Sequence, residues 1–330
     1  MKALVYTAPD AVTYRDEPTP ARGDGEVLIR VDAAGICGSD MHAYHGHDPR
    51  RVPPLILGHE LAGEILEGPG AGRRVTVNPL ITCGHCDYCR QGRDNLCANR
   101  TMIGMTRAGA FAELVTTAAA SVIEVPPAMP VRTAALTEPA ATALHAIALA
   151  ARALARPLPE ANVLVLGGGA IGLLAALLLQ SQGVRRVAVA ETNALRRASV
   201  ARASAARAFD PVADAAPPAD SVDLVVDAVG SKATRNTALA AVKPGGVIVH
   251  VGLADRSSEI DMRKLTLGEV VLIGCYTYTS ADLRAAVTAL HEGVFGDLAW
   301  VEERPLADGA GAFRDLHAGR SAAAKILLRP

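Results

Sequence analysis

Four cysteines, Cys83, Cys86, Cys89 and Cys97, fall in the run CGHCDYCRQGRDNLC, with gaps of three, three and eight positions. Four soft thiolates so close together suit a tetrahedral metal ion and leave it no open position, so they read as a structural zinc clip on a protruding loop. A four-thiolate iron–sulfur centre is the competing chemistry. A disulfide framework fits less well, because the whole chain of 330 residues has only six cysteines and four of them crowd into this one stretch. A second set is sparser: Cys37 in GICGSDMH, His59 in GHE and Glu138 in TEP. Together they offer one sulfur, one nitrogen and one oxygen, and three protein ligands plus a water are what a catalytic zinc requires. Glu60, next to His59, is an alternative or transient ligand, and Asp40 is a candidate to orient the His59 ring. Taken singly, each of these residues reads as structural; the joint pattern carries the assignment. Cys275 receives no role.

A third constellation handles phosphate. Gly167, Gly169 and Gly172 form GxGxxG directly after VLVL and before an apolar run, the strand–turn–helix context that this pattern needs. With Ala170 and Ile171 they place helix N-terminal amides where a pyrophosphate would sit. Glu191 closes the next strand, where a carboxylate holds an adenosine ribose and opposes a 2'-phosphate, favouring NAD over NADP. Val229 and Gly230, and Val251, Gly252 and Leu253, follow later strands and are candidate walls around the nicotinamide. A glycine-rich packing turn with a solvent-facing glutamate is the alternative reading.

The elements that must position these groups divide into two styles. Residues 3–7, 26–34, 59–79 and 122–126 give short strands among Pro- and Gly-rich connections, a β-rich region carrying loops. From Glu138 the texture changes. Residues 139–157 predict an Ala- and Leu-rich helix bounded by prolines. Apolar strands at 161–166, 185–191, 222–229, 245–252 and 269–275 then alternate with helices, including 196–208 and 232–242, and predict a parallel sheet covered on both faces. The tail predicts helices at 281–293 and 300–319 and a closing strand that returns to the first domain. Residues 161–184 carry no charged side chain, but three consecutive glycines, with Gln180, Ser181 and Gln182 near the end, split the run into strand, turn and helix, against a transmembrane span.

Composition narrows the partner. Thirty-three Lys and Arg nearly cancel thirty-four Asp and Glu, for a net charge of -1. No broad positive field is available for nucleic acid or an anionic membrane surface. A small, weakly charged ligand is expected, and the N-terminal run lacks the apolar stretch of a secretory signal, pointing to the cytoplasm.

In combination, GICGSDMH, GHE, the four-cysteine lobe, the EP segment and GGGAIG make nearly the full chain resemble the zinc-containing medium-chain alcohol and polyol dehydrogenases, in particular the sorbitol dehydrogenase-like branch. The resemblance implies a GroES-like β-rich catalytic domain (1–137 with 286–330) and an inserted Rossmann domain with a doubly wound parallel sheet (138–285). It implies two zinc ions per subunit, one catalytic at Cys37, His59 and Glu138 with Glu60 beside them, and one structural. Ser39 matches the hydroxyl that contacts the substrate alcohol, His42 the histidine that relays its proton, and Lys325 a basic position of uncertain role. His45 and His47 are expected at the surface or substrate rim. The expected reaction is NAD-linked oxidation of a secondary alcohol in a polyol, sugar, cyclitol or amino alcohol, by a homodimer or homotetramer. Threonine 3-dehydrogenase-like or simple secondary alcohol oxidation are alternatives. A nucleotide-binding regulatory protein without alcohol chemistry is a reading of another class, and the intact Cys37, His59 and Glu138 set argues against it.

Overall fold

The computed structural model describes residues 1–330. The chain opens with a hairpin, β1 (Lys2–Ala8) and β2 (Ala11–Asp16), then β3 (Glu26–Gly35), α1 (Gly38–Tyr44), β4 (Leu55–Ile56), β5 (Glu60–Glu67), β6 (Arg74–Val77) and β7 (Leu80–Ile81). After α2 (Asp87–Arg90) in the cysteine lobe come β8 (Thr101–Met102), β9 (Leu114–Ala118), β10 (Val122–Glu124), α3 (Val131–Ala134) and the long α4 (Thr137–Ala153). The second region runs β11 (Asn162–Leu166), α5 (Ala170–Ser181), β12 (Arg186–Ala190), α6 (Ala194–Ala203), β13 (Arg207–Phe209), β14 (Val222–Asp227), α7 (Lys232–Ala241), β15 (Val242–His250), α8 (Met262–Leu267), β16 (Val271–Gly274) and α9 (Ser280–His291). The chain then returns through β17 (Val301–Pro305), α10 (Gly309–His317) and β18 (Lys325–Arg329).

The second region is a six-stranded sheet in the order β13-β12-β11-β14-β15-β16, parallel throughout. The order reverses between β12 and β14 across β11, the switch point of a Rossmann fold, where ligands settle against the carboxyl ends of the strands. Its central strands are buried on both faces, which is why they read as apolar runs: β14 is buried at all positions despite Asp223 and Asp227, whereas the edge strand β16 is mostly exposed. The first region is a GroES-like, β-rich unit. Its main sheet runs β10-β6-β5-β3-β18-β17, with β9 also on β3. β18 lies antiparallel to β3, and β17 parallel to β18, so residues late in the chain complete a sheet begun by its first forty.

Two predicted helices differ. Residues 300–319 begin as β17, an edge strand in which Val301 is buried while Glu302, Glu303 and Arg304 are partly or fully exposed; α10 starts only at Gly309. Charge on the outer face hides the strand, and Arg304 secures it by bonding Glu302 at 2.6 Å and Asp315 of α10 at 2.7 Å. The helix predicted at 196–208 stops at Ala203, and Arg207–Phe209 joins β12 as β13. Ser204 marks the stop: its hydroxyl bonds the Val200 carbonyl at 2.8 Å and accepts from the Ala206 amide at 3.3 Å, diverting backbone partners from the helix. Helix α4 starts two residues before its predicted start, with Glu138 in its first turn. Pro139 is tolerated there because the first amides of a helix have no intrahelical acceptor. No helix is long and apolar enough to cross a membrane.

Candidate active site

The site forms where β3 hands over to α1. Cys37 is the N-cap residue of α1. Asp40, fully buried in the first turn, accepts the Cys37 amide on Oδ2 at 3.0 Å, and its Oδ1 stands 3.4 Å from His59 Nδ1. This turns His59 Nε2 toward Ser39 Oγ, 3.4 Å away. The ligand atoms of Cys37, His59 and Glu60 all lie within 4.8 Å of one another. Burial works against charge on His59, yet Asp40 and Cys37 outweigh it and raise its pKa well above the imidazole value. Glu60 Oε2 is buried without a hydrogen-bond partner, and the Asp40 Oδ1–His59 Nδ1 approach is an electrostatic contact rather than a hydrogen bond. A sulfur, a nitrogen and a carboxylate converging in a buried, electron-rich pocket with an orphaned oxygen fit a Zn²⁺ ion.

Glu60 has a second engagement. Its Oε1 accepts from Lys325 Nζ at 2.6 Å, and the same ammonium donates to the Ile36 carbonyl at 2.9 Å. Both side chains are buried. The carboxylate occupies space that any side chain at residue 35 would need: a Cβ on Gly35 would lie 2.0 Å from Glu60 Oε2.

Glu138 is buried beside this group but stands outside the 4.8 Å cluster. Its Oε1 accepts from the hydroxyl of Tyr278 at 2.8 Å. Burial, with Glu60 nearby, raises its pKa to about 7, while His59, Tyr278 and Lys325 pull the other way. The structure therefore brings Glu60, rather than Glu138, into the tight group with Cys37 and His59. Tyr278 has no signal in sequence, since its partner is 140 positions away.

Arg51 also escapes sequence reasoning. Its side chain is fully buried, donating from Nε to the Gly104 carbonyl at 3.0 Å, from Nη1 to Asp48 at 2.7 Å and from Nη2 to Ser39 Oγ at 3.2 Å. Ser39 is thus held between a guanidinium and His59. His42 follows Ser39 by three positions on α1, so the two share a face. Burial of His42, with His47, His45 and Arg51 nearby, lowers its pKa against the pull of Asp48, and the ring stays neutral and able to accept a proton at pH 7.

The cysteine lobe is a separate centre. The sulfur separations are 3.5 Å for Cys86 to Cys89, 3.5 Å for Cys97 to Cys83 and 3.9 Å for Cys83 to Cys89. Tetrahedral thiolates with Zn–S bonds of about 2.3 Å sit about 3.8 Å apart. All six cysteines are free thiols. Backbone amides of His85 and Cys86 lower Cys83 to about 6, while burial and neighbouring sulfurs raise Cys89 to about 11, as expected of thiols crowded around one point. That convergence has room for a single ion rather than a polynuclear cluster. Asn95 donates to the Tyr276 carbonyl at 2.8 Å, and Asp94 bonds Ser280, docking the lobe on the segment that carries Tyr278.

At the switch point, Gly169 N-caps α5 and Gly167 directly follows β11. A Cβ on Gly172 would lie 1.8 Å from the Gly167 carbonyl oxygen, so the helix reaches this close to the strand only with glycine there. Ala170 and Ile171 form the first turn of α5. Glu191 accepts from the Gly168 amide at 2.9 Å, the Asn193 amide at 2.8 Å and Arg196 at 3.1 Å. Burial opposes its charge, but Arg196 and these amides hold it below the usual carboxylate range. Asp227 gathers the later segments: its Oδ1 accepts from Val229 and Gly230, and its carbonyl from Val251 and Gly252. Leu253 is exposed beyond them.

Residues 23–127 match the alcohol dehydrogenase GroES-like domain and residues 170–292 the zinc-binding dehydrogenase domain. The chain is 31% identical to L-galactonate-5-dehydrogenase of Escherichia coli strain K12, covering 93% of this chain and 92% of that protein. It is 32% identical to L-threonine 3-dehydrogenase of Chelativorans sp. strain BNC1, covering 97% of each. Galactitol-1-phosphate dehydrogenase of Escherichia coli superposes over 100% of both chains with a TM-score of 0.89 at 26% identity.

Proposed function

The chain belongs to the zinc-binding medium-chain dehydrogenase family, and on that premise we propose that it oxidises a secondary alcohol of a polyol, sugar acid or amino alcohol to a ketone with NAD. The observation that carries this reading is the buried cluster of Cys37, His59 and Glu60, with Ser39 beside it and Glu138 within electrostatic reach. Zn²⁺ held by Cys37 and His59 with a carboxylate from Glu60 or Glu138 would supply Lewis acidity toward the substrate hydroxyl, and NAD would supply the hydride acceptor.

The chain's own residues do the rest. Ser39 Oγ, fixed by the Arg51 guanidinium, receives the hydroxyl proton, and the neutral His42 on the same face of α1 passes it outward. Asp40 holds the His59 ring in one orientation. Lys325 offsets the charge of Glu60, so that a second buried carboxylate at Glu138 is tolerable nearby. Glu191, already bonded to the Gly168 amide at the phosphate turn, presents a carboxylate where a ribose would bind, and that favours NAD over a 2'-phosphorylated cofactor. Cys83, Cys86, Cys89 and Cys97 hold a second, structural zinc.

The reading is tested with a panel of L-galactonate, L-threonine, sorbitol, galactitol 1-phosphate and 2-butanol, scored by NADH absorbance beside metal analysis. Turnover of at least one hydroxylated substrate, lost in Cys37→Ala while the fold persists, is expected. Full activity in zinc-free enzyme would refute it.

A further inference from the structure

Away from the buried centre, Asp10, His45 and His317 bring a carboxylate oxygen and two ring nitrogens within 4.8 Å of one another. Each comes from a different element: Asp10 from the β1–β2 turn, His45 from the C-terminal cap of α1, and His317 from the last position of α10. Their backbones are fixed from beneath. The Asp10 amide donates to the Tyr44 carbonyl at 2.6 Å. The buried Tyr44 ring packs 5.3 Å from Phe313 and 6.4 Å from His317. On this base, His45 Nδ1 stands 3.1 Å from Asp10 Oδ1, and the His45 and His317 rings are 4.9 Å apart. A further imidazole, His47, lies on the same rim with its ring 5.7 Å from that of His45.

We propose that Asp10, His45 and His317 form an exchangeable divalent-metal site, distinct from the Cys37 centre and from the cysteine lobe. Two imidazoles and a carboxylate without sulfur suit a borderline ion such as Zn²⁺, Co²⁺ or Ni²⁺ more than Mg²⁺ or Ca²⁺. Donors around a tetrahedral zinc sit about 3.3 Å apart for bonds of about 2.0 Å. Asp10 and His317 are exposed and free to close the remaining gap by rotamer change, whereas the half-buried His45 is held by the helix it caps. His47 or water completes the coordination. An ion here ties the β1–β2 turn to the ends of α1 and α10, and α1 is the helix that carries Ser39 and His42. None of the three ligands takes part in the proposed reaction, so the site stands or falls apart from the reading of the buried centre.

The test uses untagged full-length enzyme, saturated with zinc and then freed of loosely held metal by gel filtration. Ni²⁺ alone is titrated into wild type, His317→Asn and Asp10→Asn by calorimetry, with thermal melts in parallel. Wild type is expected to bind one more equivalent than either variant, or to bind it at least tenfold more tightly, and only wild type should gain thermal stability on adding Ni²⁺. Equal melting temperatures without Ni²⁺ establish that the variants are folded. Matching stoichiometry and affinity in wild type and either folded variant, or no Ni²⁺ binding by wild type, overturns the proposal.

Discussion

Replacing Lys325 by methionine isolates what the buried ammonium does. Its Nζ bonds Glu60 Oε1 at 2.6 Å and the Ile36 carbonyl at 2.9 Å, and burial is offset by Glu60, Cys37 and Glu138, so that its pKa is raised. The methionine fills similar volume but leaves a buried carboxylate whose Oε2 already lacks a partner. Breaking one side of a buried ion pair costs about 3–5 kcal/mol. The abandoned carboxylate has one escape, which is to take up a proton. Holding an ordinary carboxyl of pKa about 4.3 protonated at pH 7 costs about 3.7 kcal/mol at 1.36 kcal/mol per unit, and this caps the loss. The cap falls to about 1 kcal/mol at pH 5. The sign follows from linkage: the variant's folded state binds a proton that its unfolded state releases, so its stability falls as pH rises through that window. Urea denaturation of chelator-treated wild type and Lys325→Met at pH 7 and pH 5 measures the difference. A loss of about 3–4 kcal/mol at pH 7 that shrinks to about 1 kcal/mol at pH 5 is expected. Adding Glu60→Gln to Lys325→Met should recover much of the loss at pH 7. A deficit below about 1 kcal/mol at pH 7, or one independent of pH, would refute the reasoning.

Three further outcomes follow from local geometry. Gly172→Ala places a methyl 1.8 Å from the Gly167 carbonyl oxygen; a stability loss of about 1–3 kcal/mol and at least tenfold weaker NADH binding by fluorescence are expected, and unchanged binding would contradict the close approach. Cys86→Ser should lower the melting temperature and remove one of two zinc equivalents by metal analysis, and retention of both would sink the assignment of the lobe. The Cys275 thiol is pushed up to about 12 by burial and by Asp282; mass spectrometry should find its peptide unlabelled after N-ethylmaleimide treatment of native enzyme at pH 7, and rapid modification there would show the environment to be wrong.

What was legible in the sequence was local. The four lobe cysteines fall within fifteen positions, and the strand–GxGxxG–helix run is contiguous, so spacing alone shows that these groups meet. The central strands of the parallel sheet declare themselves because both faces are buried. Edge strand β17 does not, because its outer face is charged and a window centred on it blends into α10. The buried centre was partly legible: Cys37, His59 and Glu60 sit in recognisable motifs, but the preference for Glu60 over Glu138 in the tight cluster depends on where α4 meets β5, which no local pattern states. Lys325, Tyr278 and Arg51 gain their roles only through partners 265, 140 and 12 positions away.

The distance between Glu60 and Lys325 also has a consequence in time. At roughly 5–20 residues per second of ribosomal synthesis, the ammonium emerges on the order of 10–50 s after the carboxylate it neutralises. For that interval β3 lacks the neighbour that β18 provides, while the contiguous strands from β11 to β16 are free to fold as soon as they leave the exit tunnel. The nascent chain therefore has every strand of its parallel sheet before β18 arrives, and the pocket around Cys37, His59 and Glu60 is the last to be closed, by Lys325.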